Sequence, residues 1–262
     1  MDVTFFIPVL LGWISGIFIN YSADVLPVTR RFSHPLCRKC AAPFTWKDYL
    51  TLHACRSCGE RRSLRAWLVQ ILTIAAFAYF WLTPPKALGF WLGMIVLVYF
   101  AIITVIDLEH RLILHPTSLF GAGLGFIVGT SIQTQIHGSV LNGMGYSLLG
   151  GLFGFGIMFL LYKFGEIVAR YRARKMAAAG QAEDEEEALG GGDVYLAGVL
   201  GLMLGWPYIW YALLLGVLLG GLISIVFLLT LVVRRRYSSE ALMAFIPYGP
   251  YFIFSAFYFL FL

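Results

Sequence analysis

Charge is scarce in this sequence. Only 13% of its 262 residues are Asp, Glu, Lys or Arg, too few to coat an ordinary soluble domain of that size. Cysteine is scarcer still: the four present form two close pairs in a basic, hydrophilic stretch, which argues against a disulfide framework and for a metal site in a reducing compartment. No basic region precedes the first apolar run, "FFIPVLLGWISGIFI" from Phe5, and no small-residue cleavage site follows it. That run is therefore expected to be a retained span and the start to be the mature one. The net charge of +5 does not point to nucleic acid, because the basic residues sit in short stretches between apolar runs, where they orient a membrane protein.

What is present is apolar. Hydrophobic residues make up 60% of the chain and mean hydropathy is +0.80, so the expected fold is an all-α polytopic membrane protein in a lipid bilayer. A helix needs roughly 20 apolar residues to cross the hydrocarbon. Runs near 5–21, 66–83, 87–106, 117–133, 139–162, 193–206, 208–233 and 242–262 predict about eight transmembrane helices. The sixth is the shortest and ends before Trp206-Pro207, so a seven-span count stays open. Of the 19 Lys and Arg, 18 fall in segments 22–65, 107–116, 163–192 and 234–241, and only Lys86 lies on the other side. The positive-inside tendency then puts those segments in the cytoplasm and both termini away from it.

Three regions follow: a first span at 1–21, a small cytoplasmic module at 22–65, and a membrane core at 66–262 with a flexible loop at 166–192, which includes the acidic run 183–187. Glycines at 150, 151, 154 and 156, and at 216, 220 and 221, suit close helix approach in lipid. "GAGLG" at 121–125 lacks the preceding strand and spaced final glycine of a dinucleotide loop and reads as packing.

Within the module, Cys37-Arg-Lys-Cys40 and Cys55-Arg-Ser-Cys58 are 14 residues apart, a spacing that lets four thiolates close around zinc. Four cysteine ligands leave no position for a catalytic water, so this Zn2+ is expected to be structural. His34 and His53 lie nearby but are not needed as ligands.

Two carboxylates stand at the ends of apolar runs. Asp107 closes the third span and Asp193 opens the sixth after Gly190, Gly191 and Gly192. Either alone reads as a hydrated helix-end charge, and Asp193 gains from the helix dipole. Two at one membrane face also suit a shared proton, with one carboxylate activating water while its protonated partner polarises a peptide carbonyl. Gly190 and Gly192 are expected to shape the backbone beside Asp193.

The cysteine pairs after the first span, "IDLEHRLIL" around Asp107, the Gly-x-Gly-Asp start of a helix at Asp193, and "IPYGPYF" at 246–252 occur in an order that resembles the bacterial type IV prepilin peptidases, a family of Gly-x-Gly-Asp intramembrane aspartyl proteases. The resemblance covers most of the chain. It implies that Asp107 and Asp193 are catalytic, and that the substrates are type IV prepilin or pseudopilin precursors at the bacterial inner membrane. Cleavage would follow a glycine between a basic leader and a hydrophobic helix. Many members also methylate the new amino group with S-adenosylmethionine, an activity for which the residues themselves offer no separate signal. Gln70 and His115 depart from the family pattern, where an acid is expected at the first and an acid or amide at the second.

Two other classes fit parts of the pattern. A non-enzymatic, zinc-organised scaffold for pilus or secretion assembly would use the aspartates only as helix caps. A transporter would use them as a proton relay, but transport sites usually lie near the bilayer midplane.

Overall fold

The structure, a computed structural model, describes residues 5–178, 190–233 and 247–262, without the side chains of 172–178, 231 and 232. The described residues form nine helices: α1 (Phe6–Thr29), α2 (Trp46–Leu50), α3 (Leu64–Leu82), α4 (Gly89–His110), α5 (His115–His137), α6 (Val140–Ala178), α7 (Gly191–Leu204), α8 (Tyr208–Val233) and α9 (Gly249–Phe261). No strand occurs among them, only an isolated bridge between Leu36 and Pro43. Six helices (α1, α3, α4, α5, α6 and α8) are long and apolar enough to cross a membrane, while α7 and α9 are shorter apolar helices. The all-helical membrane fold is as the apolar runs imply, with α2 the one helix outside them.

The largest difference from the sequence reading is α6. It runs 39 residues, about 58 Å at 1.5 Å per residue, well beyond a hydrocarbon core of about 30 Å. Residues 166–178, expected to begin a loop, are therefore helical. Glu166 pairs with Lys163 at 2.8 Å and with Arg170, helix-spaced ion pairs that stabilise an exposed face. The acidic run 183–187 lies outside the described residues, as do 242–246 of the last apolar run.

The chain divides into two compact units, Met1–Pro116 and Thr117–Leu260, with the boundary inside the stretch read from sequence as one core. In the first unit, α1 packs on α3 and α4 around Ile19, Ala23, Leu26, Ile102, Ile106 and Leu114. Gly12 and Gly16 form a small-xxx-small face that lets α3 approach: a Cβ at Gly12 would come 2.8 Å from the Ile74 Cα, and one at Gly16 would press on Gln70. Two amides complete this seam. Gln70 Nε2 donates to the Trp13 carbonyl at 2.8 Å, and Asn20 Nδ2 to the Ala66 carbonyl at 3.0 Å. The Gln70 amide thus supplies a donor that an ionised carboxylate at this position would lack.

In the second unit the short α7 is buried along most of its length. Its backbone touches the glycine faces of its neighbours: a Cβ at Gly129 on α5 would overlap the Leu202 carbonyl oxygen, one at Gly150 on α6 that of Gly201, and one at Gly154 that of Ala197. At 14 residues α7 is about 21 Å long, too short to cross alone, and its last carbonyls need donors within the protein. Gln133 Nε2 serves Leu204 at 2.7 Å and Ser147 Oγ serves Leu202 at 2.8 Å.

Candidate active site and metal centre

The four cysteines are brought together. Each pair sits on a tight turn in which the fourth residue after the first cysteine donates back to it: Ala41 N–H to the Cys37 carbonyl at 2.9 Å, and Gly59 N–H to the Cys55 carbonyl at 2.8 Å. Ala41 and Gly59 both adopt positive φ, 55° and 70°, so the two turns repeat one conformation. Sγ separations are 3.6 Å for Cys37 and Cys58 and 3.7 Å for Cys40 and Cys55, and all four sulfurs lie within 4.8 Å of one another. A tetrahedral ion with metal–sulfur bonds of about 2.3 Å needs sulfurs about 3.8 Å apart. The donor set therefore fits a zinc-type ion. Backbone N–H groups of Cys40 and Lys39 hold the Cys37 thiol down to about 6, and those of Cys58 and Ser57 lower Cys55, which favours thiolates at these two positions, while burial and the three neighbouring thiols push Cys58 up to about 12.

The residues between the cysteines tie the module to the helices. Arg56, in the second turn, makes a two-pronged contact to Asp48 of α2, with Nε and Nη2 each 2.7 Å from a carboxylate oxygen. Lys39 and Glu60 link the two turns at 2.9 Å. Arg38 of the first turn reaches Asp24 on α1 at 3.0 Å and Glu109 on α4 at 2.7 Å. Asp24 is the hub: it also accepts from Arg62 at 3.2 Å, from Arg65, and from the Tyr49 hydroxyl at 2.6 Å. Burial pushes the Tyr49 hydroxyl well above its usual range, so it remains a donor. The Arg62 guanidinium stacks over the Tyr49 ring, 4.3 Å from its centroid.

Asp107 lies in the last turn of α4, in the first unit, and is buried. Its carbonyl accepts the N–H of Arg111, which ends the helix at φ 53°. Ile106 packs in the α1–α4 core, and Glu109 is held by Arg38 and by Arg65 Nε at 3.2 Å. The turn carrying Asp107 is therefore clamped by apolar packing on one side and by the module's arginines on the other.

Asp193 lies in the first turn of α7, in the second unit, where the helix field favours a carboxylate. Its N–H donates to the Gly190 carbonyl at 3.1 Å. Gly190 has φ −69° and ψ 135°, a conformation open to any residue; a Cβ on it would stand 3.8 Å from Asp193 Oδ2, an ordinary contact, and one on Gly191 would meet nothing within 4 Å among the described residues. Gly192 continues the same turn.

Sequence reasoning did not single out Asp24, Glu109, Gln133 or Ser147. A carboxylate in the last turns of an apolar helix, next to a module holding nine of the chain's basic residues, is a signal that could have found Asp24. Nothing local marks Gln133 and Ser147 as caps for a helix some 60 residues away.

Residues 94–225, a stretch that contains both aspartates, match the type IV leader peptidase family. Among curated proteins, the chain is 25% identical over 236 residues to a prepilin leader peptidase/N-methyltransferase of Myxococcus xanthus, covering 84% of this chain and 62% of that one. Proteins of the same name from Vibrio cholerae and Pectobacterium carotovorum are each 25% identical, over 69% and 72% of this chain and 65% and 63% of theirs. The chain thus spans just under two thirds of the length of these relatives. No solved structure matches.

Proposed function

Because this chain belongs to the type IV leader peptidase family, we propose that it is a multi-pass inner-membrane aspartic endopeptidase that removes the basic leader of prepilin-like precursors after a glycine. The observation that carries the reading is the matched stretch itself, which contains Asp107 at the end of one apolar helix and Asp193 at the start of another.

The chemistry needs the two carboxyls to share one proton. One carboxylate takes a proton from water as the water oxygen bonds to the scissile carbonyl carbon, and the protonated partner hydrogen-bonds the carbonyl oxygen as negative charge builds there. When the tetrahedral intermediate collapses, the C–N bond breaks and the leaving amine receives a proton from the carboxyl that took one from water. Among the described residues nothing stands against Gly191, which supports room beside Asp193 for an extended peptide backbone. A basic leader held in the cytoplasm and a helix held in lipid would bring the scissile bond to the membrane face where both aspartates are expected.

Cys37, Cys40, Cys55 and Cys58 would hold a structural Zn2+, whose binding supplies folding free energy to a module with a small core. Its arginines reach the turn that bears Asp107, so the module's role is to position that turn. The relatives' names include N-methyltransferase, and we extend this second activity to the chain, with S-adenosylmethionine as methyl donor to the new amino terminus.

The test is incubation of the purified protein with a candidate precursor, followed by mass measurement of the product. A leader-free product, absent with Asp107→Asn and with Asp193→Asn, is the expected result. Normal cutting by both variants would refute the aspartyl mechanism. A further mass of one methyl group, dependent on added methyl donor, reports the second activity.

A further inference from the structure

We infer that the cysteine module lies on the bilayer, with Phe32, Trp46 and Leu50 inserted at the headgroup level and Arg30, Arg31 and Lys47 facing anionic lipid. The hub formed by Asp24 and its arginines is a layer of charge that belongs on the water side of the interface. Tyr21 is three residues nearer the centre of the helix, about 4.5 Å deeper at 1.5 Å per residue. The chain after α1 folds back onto Tyr21: its ring stacks on Phe32 with centroids 6.1 Å apart and meets Trp46 at a tilt, 5.6 Å away, and its hydroxyl donates to the Ser33 carbonyl at 2.7 Å. Phe32 and Trp46 therefore gather around a residue about one helical turn nearer the membrane centre than Asp24.

These rings are open to the surroundings. Phe32 is 67% exposed and Trp46 is 46% exposed, and Leu50, one helical turn beyond Trp46 on α2, is 44% exposed. Large apolar side chains left in water are unfavourable, so an apolar face of this kind marks a partner. Two observations identify that partner as lipid. First, the face continues the exposed apolar stripe of α1 formed by Ile14 and Phe18, which lipid covers in a spanning helix. Second, Arg30, Arg31 and Lys47 border it with exposed side chains and no ion pair among the described residues, leaving three cations for anionic headgroups. Aromatic rings flanked by cations are the side chains that favour this depth of a membrane. The inference does not depend on the proposed chemistry.

The experiment uses the full chain labelled with 5-fluorotryptophan in nanodiscs of phosphatidylcholine and phosphatidylglycerol. The fluorine resonance lost in Trp46→Phe identifies Trp46. Expected is stronger broadening of that resonance by phosphatidylcholine carrying a doxyl group near the headgroup than by a water-soluble gadolinium chelate. Equal or stronger broadening by the chelate would overturn the inference. Silence to both agents would overturn it too, because protein, such as a second copy of the chain, would then cover the face. Leu50→Glu alters an exposed position and should reduce the doxyl effect on Trp46 several-fold; an unchanged effect counts against the inference.

Discussion

Asp24→Asn tests whether the charge hub holds the cysteine module to the helices. The carboxylate side chain is 9% exposed and faces Arg62, equally buried, and Arg65 at 17%. Removing one member of a buried pair costs about 3–5 kcal/mol, because the remaining ion stays out of water uncompensated. Part of that cost is offset here. Arg65 keeps Glu109, and Arg62 keeps the Tyr49 ring, an interaction of about 0.5–2 kcal/mol. The expected loss is therefore about 2–4 kcal/mol, or roughly 30-fold to 700-fold in the opening equilibrium at about 1.4 kcal/mol per tenfold. Arg38 is the control: its side chain is 54% exposed, and an exposed ion pair is worth about 0.2–1 kcal/mol. Hydrogen exchange of the amides between residues 37 and 60, followed by mass spectrometry on the full chain in detergent, reads local opening directly. Asp24→Asn should speed exchange far more than Arg38→Ala does. Adding Arg62→Met to the Asn variant should recover part of the loss by removing the stranded cation. Equal effects of Asp24→Asn and Arg38→Ala, or no recovery in the double variant, would show that the hub does not act as a buried ionic cluster.

Other consequences can be measured on the same protein. Asp107→Asn and Asp193→Asn should each lower precursor cleavage by at least about 10²-fold with the fold retained, so a folded variant that keeps normal turnover would remove that residue from the catalytic assignment. Elemental analysis should find one zinc per chain, lost in Cys40→Ser, and chelation should raise amide exchange in the module before it alters a correctly folded membrane core. Gly129→Ala should cost on the order of 1–3 kcal/mol, since its Cβ would overlap the Leu202 carbonyl. Gly156→Ala, where a Cβ meets nothing within 4 Å among the described residues, should be neutral or stabilising by up to about 1 kcal/mol; thermal unfolding that ranks the two the other way would contradict the packing of α7.

The glycines show how far local reading reaches. Those at 150, 151 and 154 let helices approach, as their clustering implies, against α7; Gly156 belongs to the same cluster in sequence but meets no described residue. Gly12 and Gly16 serve the α1–α3 seam without having stood out from the apolar run around them. Spacing alone marks glycines as able to pack closely, whereas the phase of each helix against its neighbour selects which ones do.

By itself the sequence determined the apolar helices and the cysteine cluster. Crossing a bilayer depends on the composition of one continuous segment, and two Cys-x-x-Cys turns preform most of a tetrahedral ligand set. Tertiary structure alone decided how the short α7 is satisfied, through Gln133 and Ser147, and how Asp24 gathers Arg38, Arg62 and Arg65. It also decided which rings of the module pack against Tyr21. Each of these joins residues distant in the chain, whose free energy arises only when one polar or aromatic group meets its partner across a packed interface, and no local pattern records such a meeting.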